Sequence, residues 1–131
     1  AIDLFHGYTY SGHPLACAAA IATLDTYAEE NLFDKAIELG DYWQEGIHSL
    51  KGLPNVIDIR NYGLIGAIEL AARPGAPGTR GYDAFNRAFN QGNLLTRVTG
   101  DTIALSPPLI VEKSHIDRIF ETLADTLRAT A

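Results

Sequence analysis

The sequence predicts an α/β protein of the α+β type, a small and mainly antiparallel sheet covered by helices. Three observations lead there. Apolar residues recur at helical spacing in four stretches, 14–30, 31–51, 82–91 and 114–127. Two pairs of short runs, each pair joined across a glycine, read as hairpins, which makes paired strands antiparallel. A chain of 131 residues with 47% hydrophobic content holds one core and no more than one. The resulting order is helix, helix, hairpin, helix, hairpin, helix, and helices laid on one face of a small sheet satisfy it most simply.

Ala1–Phe5 reads as short and extended. In Gly7–Ala20, GYTYSGHPLACAAA, a loop with two glycines and four hydroxyl side chains opens into an Ala-rich run. Pro14 marks the helix start, because the N–H it lacks has no intrahelical partner there anyway. The first-turn amides face Thr9–Ser11, a geometry that receives an anion, although hydroxyls before a helix are mostly ordinary caps. The first half of this helix is small and apolar all round and predicts burial on every side, by a missing part of the protein or a second subunit. Asp25, Glu29 and Glu30 bring its end into solvent.

Asn31 is a cap between helices, and the next helix carries a core stripe of Phe33, Ile37, Trp43, Ile47 and Leu50 before Gly52 and Pro54 end it. His48 has no ligand-spaced partner and is expected in solvent, without a metal role. Val56–Tyr62 and Leu64–Leu70 form the first hairpin around Gly63, with Gly66 marking a bulge or a close backbone approach. Ala72–Gly81, with two Pro and three Gly in ten residues, reads as a mobile surface loop. Tyr82–Gln91 is a helix with Tyr82, Phe85 and Phe89 inward. Leu94–Val98 and Thr102–Ser106 form the second hairpin around Thr99-Gly100-Asp101, stopped by Pro107 and Pro108. Ser114 and Asp117 suggest a capping box for the last helix, whose inward stripe is Ile116, Ile119, Phe120, Leu123 and Leu127.

A formal net charge of −6 without a basic cluster argues against nucleic acid and anionic membrane surfaces as partners. One cysteine, Cys17, permits no internal disulfide. It suits a reducing cytoplasm and is expected to be a small buried residue. No apolar run approaches the roughly 18 residues needed to span a bilayer. The chain starts without Met, which hints at a fragment.

Three segments carry a resemblance to a known family. TYSGHPLACA (Thr9–Ala18), RNYGLIGAIEL (Arg60–Leu70) and TGDTIALSPPLIV (Thr99–Val111) are similar, in order and spacing, to motifs of the class III (omega) aminotransferases. Those enzymes use pyridoxal phosphate and have the fold-type-I architecture, and the omega-amino acid:pyruvate branch is the nearest likeness. The resemblance implies that residues 31–131 are the C-terminal small domain, that 14–30 is an interdomain helix, and that 1–13 enters from a missing large domain. Implied partners are that large domain, a second subunit, an amino donor and pyruvate.

The resemblance also implies site roles. The Thr9 hydroxyl and the Tyr8 amide would bind the phosphate of the cofactor held by the other subunit, where a group with nearly two negative charges needs several donors. Arg97 would clamp the substrate carboxylate with its planar guanidinium. By residue pattern alone, Thr9 reads first as part of a helix cap and Arg97 as a snorkelling edge residue. Tyr10 and His13 could line the pocket or the subunit seam, and His6 and His115 take loop and cap positions. Ornithine-type relatives place an arginine two residues before the Ser-Pro-Pro, where this chain has Ala104. Lys35, Lys51 and Lys113 match no Schiff-base lysine motif, so no catalytic residue is assigned and the chain alone is expected to be inactive. Two other readings stay open: a non-catalytic small-molecule-binding or regulatory domain, and an oligomerisation module.

Overall fold

A computed structural model describes residues 6–131, in two compact units that divide after Phe33. The expected extended segment Ala1–Phe5 lies outside the described residues. The first unit holds a turn-rich loop and helix α1 (Pro14–Glu29), which begins at the expected proline. Thr23 and Thr26 bond back to the carbonyls four residues earlier, both at 2.8 Å. Asn31, at φ +50°, takes the left-handed conformation that ends the helix. No residue of α1 is buried, and Cys17, expected to be a small buried residue, is exposed. Small side chains predict a covered surface, and nothing among the described residues covers this one.

The expected second helix is two, α2 (Leu32–Glu38) and α3 (Gly40–His48), meeting at Leu39, where a glycine of low helix propensity follows. Only the later part of the predicted stripe is core. Trp43, Ile47 and Leu50 are buried, whereas Phe33 and Ile37 are exposed. Ile37 lies six residues before Trp43, which at about 100° per residue puts it roughly 120° round the helix axis. Both sets therefore cannot share a face.

In the second unit, β1 (Val56–Tyr62), β2 (Ile65–Leu70), β3 (Arg97–Thr99) and β4 (Thr102–Leu105) form one antiparallel sheet in the order β1-β2-β4-β3. With α3, α4 (Thr79–Gly92) and α5 (Lys113–Ala129), they make the α/β fold that the sequence predicts. Strand alternation sends Ile68, Leu70, Ile103 and Leu105 to one face, where Trp43, Ile47, Ala84, Phe120 and Leu123 from the helices complete the core. Trp43 meets Phe120 edge to face, with ring centroids 4.9 Å apart. Gly66 marks neither a bulge nor a close backbone approach: a Cβ there would overlap the Ile47 side chain at Cδ1, and the ladder irregularity falls between Val56 and Asp58. Strand β3 starts later than expected because the Leu94 N–H still bonds the Ala88 carbonyl as the chain leaves α4 (2.9 Å).

Three further expectations change. In α4 the inward residues are Gly81, Ala84 and Ala88, while Tyr82 and Phe89 are exposed and stack on Phe85. The two stripes have the same spacing one residue apart, and only the small one lets the helix approach the β3–β4 turn. The proline- and glycine-rich segment is not free. Thr79–Gly81 belong to α4, Arg80 bonds the Ala71 and Thr130 carbonyls (2.8 and 2.9 Å), and Arg73 pairs with Asp83. The α5 capping box joins Glu112 to His115, whose Nδ1 accepts the Glu112 N–H at 3.2 Å, while Asp117 accepts the Tyr42 hydroxyl. Among the described residues, no helix is long and apolar enough to cross a membrane.

Candidate functional site

The first candidate region is the loop before α1. The Ser11 N–H bonds the Tyr8 carbonyl at 3.0 Å and the His13 N–H bonds the Tyr10 carbonyl at 3.2 Å, so Tyr8–His13 is a run of tight turns. His13, not Thr9, caps α1, with Nδ1 accepting the Ala16 N–H at 3.5 Å. That removes the capping role that the residue pattern left open for Thr9. Tyr8, Thr9 and Tyr10 are all exposed, and His6 meets the Tyr8 ring edge-on. The amides of Tyr8 and Thr9 and the Thr9 hydroxyl find no partner among the described residues. Neighbouring free donors of this kind are chemistry fitted to a phosphate.

The second candidate is in the other unit. Arg97 opens β3 at the sheet edge and lines a mostly apolar groove of about 520 Å³ with Ile65, Leu94, Leu95, Pro107 and Pro108. Among the described residues no carboxylate pairs with its guanidinium. Arg60, on the same side of the sheet, contrasts with it. Arg60 donates to Asp58 at 2.5 Å and Glu69 at 2.9 Å, and these bonds, Glu69's first, push its pKa upward. Arg97 is thus a planar two-pronged donor with nothing yet to donate to. Its cross-strand partner is Ala104. The two stand side by side on the same face of the sheet, and the small Ala104 side chain leaves the guanidinium room. Two buried polar atoms of residues lining this groove, Trp43 Nε1 and Thr96 Oγ1, have no hydrogen-bond partner among the described residues.

Asp101 was legible only as a turn residue. Its carboxylate accepts the Gly78 N–H at 2.6 Å and the Gly81 N–H at 2.9 Å, binding the β3–β4 turn to the start of α4. Those two amides, Gly78 first, hold its pKa below the usual carboxylate value, against a smaller opposing effect of burial. An Asp beside a Gly between short strands signals a turn. Nothing in the sequence says that its side chain reaches back some twenty residues.

Lys35, Lys51 and Lys113 are all exposed, with Lys113 lying 5.0 Å over the Tyr42 ring. None lies in an apolar pocket of the kind that houses a nucleophilic amine. Among the described residues, no group of three or more His, Cys, Asp or Glu could hold a metal.

Comparison with known proteins gives a consistent picture. A family model described as aminotransferase class-III matches residues 2–127. The omega-aminotransferase of Caulobacter vibrioides is 59% identical over 126 residues, which are 96% of this chain and 28% of that protein. The beta-alanine–pyruvate aminotransferase of Pseudomonas aeruginosa is 42% identical over 131 residues, all of this chain and 29% of that protein. Among solved structures, a thermostable omega transaminase six-fold mutant from Pseudomonas jessenii matches with a TM-score of 0.86 at 36% identity, covering 98% of this chain and 30% of that one. The chain thus spans under a third of the length of the curated relatives it matches. Motifs, fold and relatives agree, and the chain belongs to the class III aminotransferases, a family of pyridoxal-phosphate-dependent enzymes.

Proposed function

We propose that this chain works as the C-terminal part of an omega-amino acid:pyruvate aminotransferase, which moves an amino group from a donor such as β-alanine to pyruvate. The observation that carries this reading is the unpaired Arg97 guanidinium beside an apolar groove, opposite Ala104. Donor and acceptor each carry a carboxylate, so one bidentate clamp serves both halves of the exchange. In this reading Arg97 binds that carboxylate and orients the reacting carbon, and the groove keeps water from the substrate's apolar stem. Thr9 and the Tyr8 amide hold the phosphate of the cofactor in the neighbouring subunit of a dimer, whose bound ring supplies the electron sink for the reaction. The catalytic lysine comes from outside these residues.

Two measurements on the full-length enzyme test the assignment. A charge-assisted hydrogen bond is worth about 1.5–3 kcal/mol, and about 1.4 kcal/mol is tenfold. Arg97→Ala is expected to raise KM for β-alanine and pyruvate by roughly one to two orders of magnitude. Unchanged Michaelis constants would take Arg97 out of the site. Thr9→Ala, which deletes one donor of several, is expected to weaken cofactor binding about five- to tenfold, or about 1–1.4 kcal/mol, in an absorbance titration of the apoenzyme. An unaltered dissociation constant would remove Thr9 from the phosphate site.

A further inference from the structure

We infer that Asp101 is a positioning residue for Arg97, acting through the β3–β4 turn to set where the substrate-binding guanidinium stands. This rests on the reading of Arg97 as the carboxylate clamp. Strand β3 is three residues long and, among the described residues, lies at the sheet edge and bonds only to β4. Its register pairs Arg97 with Ala104, Val98 with Ile103 and Thr99 with Thr102. Three pairs on an edge are a weak constraint, and in a strand a slip of one residue turns every side chain to the opposite face. Val98 would then leave the core and Arg97 would enter it. The placement of Arg97 must therefore be fixed by something beyond the ladder.

The structure offers one such constraint, and Asp101 is its centre. The hairpin turns on Gly100 and Asp101, with Gly100 at φ +59°, as a tight two-residue turn with glycine first requires. The Asp101 carboxylate holds the N–H groups of Gly78 and Gly81, while its main-chain carbonyl accepts the Leu70 N–H at 3.0 Å. One residue thus ties the turn to the beginning of α4 and to the end of β2. Gly81 closes the joint, because a Cβ there would stand 2.9 Å from Asp101 Cα and 3.1 Å from Val98 Cγ1. Val98 is the neighbour of Arg97 in the chain, so the contact reaches within one residue of the clamp. Arg80, donating to Ala71 and Thr130, anchors the same end of α4 from its other side. A turn tied to both α4 and β2 resists a shift of β3 along β4.

The test compares two half-reactions of the full-length holoenzyme, followed by cofactor absorbance: β-alanine, which presents a carboxylate, and propylamine, which has the same reach without one. A general loss of folding lowers the active fraction for both, whereas a displaced clamp affects only the first. Asp101→Asn, which keeps the shape but leaves one amide facing a donor, is expected to raise the half-saturation concentration for β-alanine about tenfold more than that for propylamine. Asp101→Glu, which keeps the charge, is expected to give a smaller difference, and it carries the comparison alone if the Asn variant yields no folded enzyme. Equal changes for both amines, or no change in either, overturn the proposal. Arg97→Ala, run alongside, separates the two failures. If it discriminates between the amines and the Asp101 variants do not, only the role of Asp101 falls. If Arg97→Ala does not discriminate, the clamp reading falls, and the positioning role with it.

Discussion

Trp43→Ala is expected to destabilise the fold by about 3–5 kcal/mol, the cost of a fully buried large aromatic truncated in a core that relaxes only in part. Trp43 is wholly buried, meets Phe120 edge to face, and packs against β2 at Gly66, where an added Cβ would stand 3.4 Å from its Nε1. Its loss removes contact with α5 and with β2 together, so no single helix can move to close the gap. Trp43 is also the chain's one tryptophan. The urea transition should therefore be followed by far-ultraviolet circular dichroism, with the slope unchanged and the midpoint lowered. A loss below about 1.5 kcal/mol would show that the core collapses over the site, a tolerance otherwise seen in volume-conserving exchanges.

The second large effect is expected at Gly81→Ala. Two terms oppose each other. Alanine gains up to about 1 kcal/mol of helix propensity over glycine. Against this, the new methyl group overlaps the Gly100 carbonyl and crowds Asp101 Cα, both backbone atoms that cannot rotate away. Overpacking of this kind costs about 1–3 kcal/mol, and separating α4 from the turn also weakens the Gly81 N–H bond to Asp101, of the charge-assisted class worth about 1.5–3 kcal/mol. The net expectation is a destabilisation of about 1–3 kcal/mol. Gly40→Ala is the control, because the added carbon meets open space there, so the change is expected to be neutral or stabilising. A thermal melt in which Gly81→Ala behaves like Gly40→Ala would remove the close contact from the account.

Where the sequence was read correctly, a residue had one physical use available. Pro14, lacking an N–H, fits the first turn of a helix, and α1 starts there. Where the reading failed, two uses had the same pattern. In α4, Tyr82-Phe85-Phe89 and Gly81-Ala84-Ala88 are equally periodic, and hydrophobicity ranks the aromatic set first. The close approach of the Gly100–Asp101 turn decides otherwise, and that approach is a tertiary fact with no local signature. Phe33 and Ile37 failed for a related reason, since a helix interrupted near Leu39 does not carry one stripe through. Family resemblance identified Arg97 and Thr9 as candidates without reference to their surroundings. Only the coordinates show that His13 rather than Thr9 caps α1, that Ala104 faces Arg97, and that Asp101 holds the hairpin to α4.

The two arginines on the outer side of the sheet make an uneven electric field. Arg60 on β1 is outweighed by Asp58 and Glu69, so that end of the sheet is locally negative, while Arg97 at the far edge is locally positive. Two strand spacings, roughly 10 Å, separate β2 from β3, slightly more than the screening length of about 8 Å at physiological ionic strength. The acidic end therefore barely cancels the pull of Arg97, yet lies close enough to repel an anion approaching from the wrong side. A small carboxylate drifting across this surface experiences a slope descending toward β3, and steering of this kind, which fades as salt is added, acts on its rate of arrival more than on its residence.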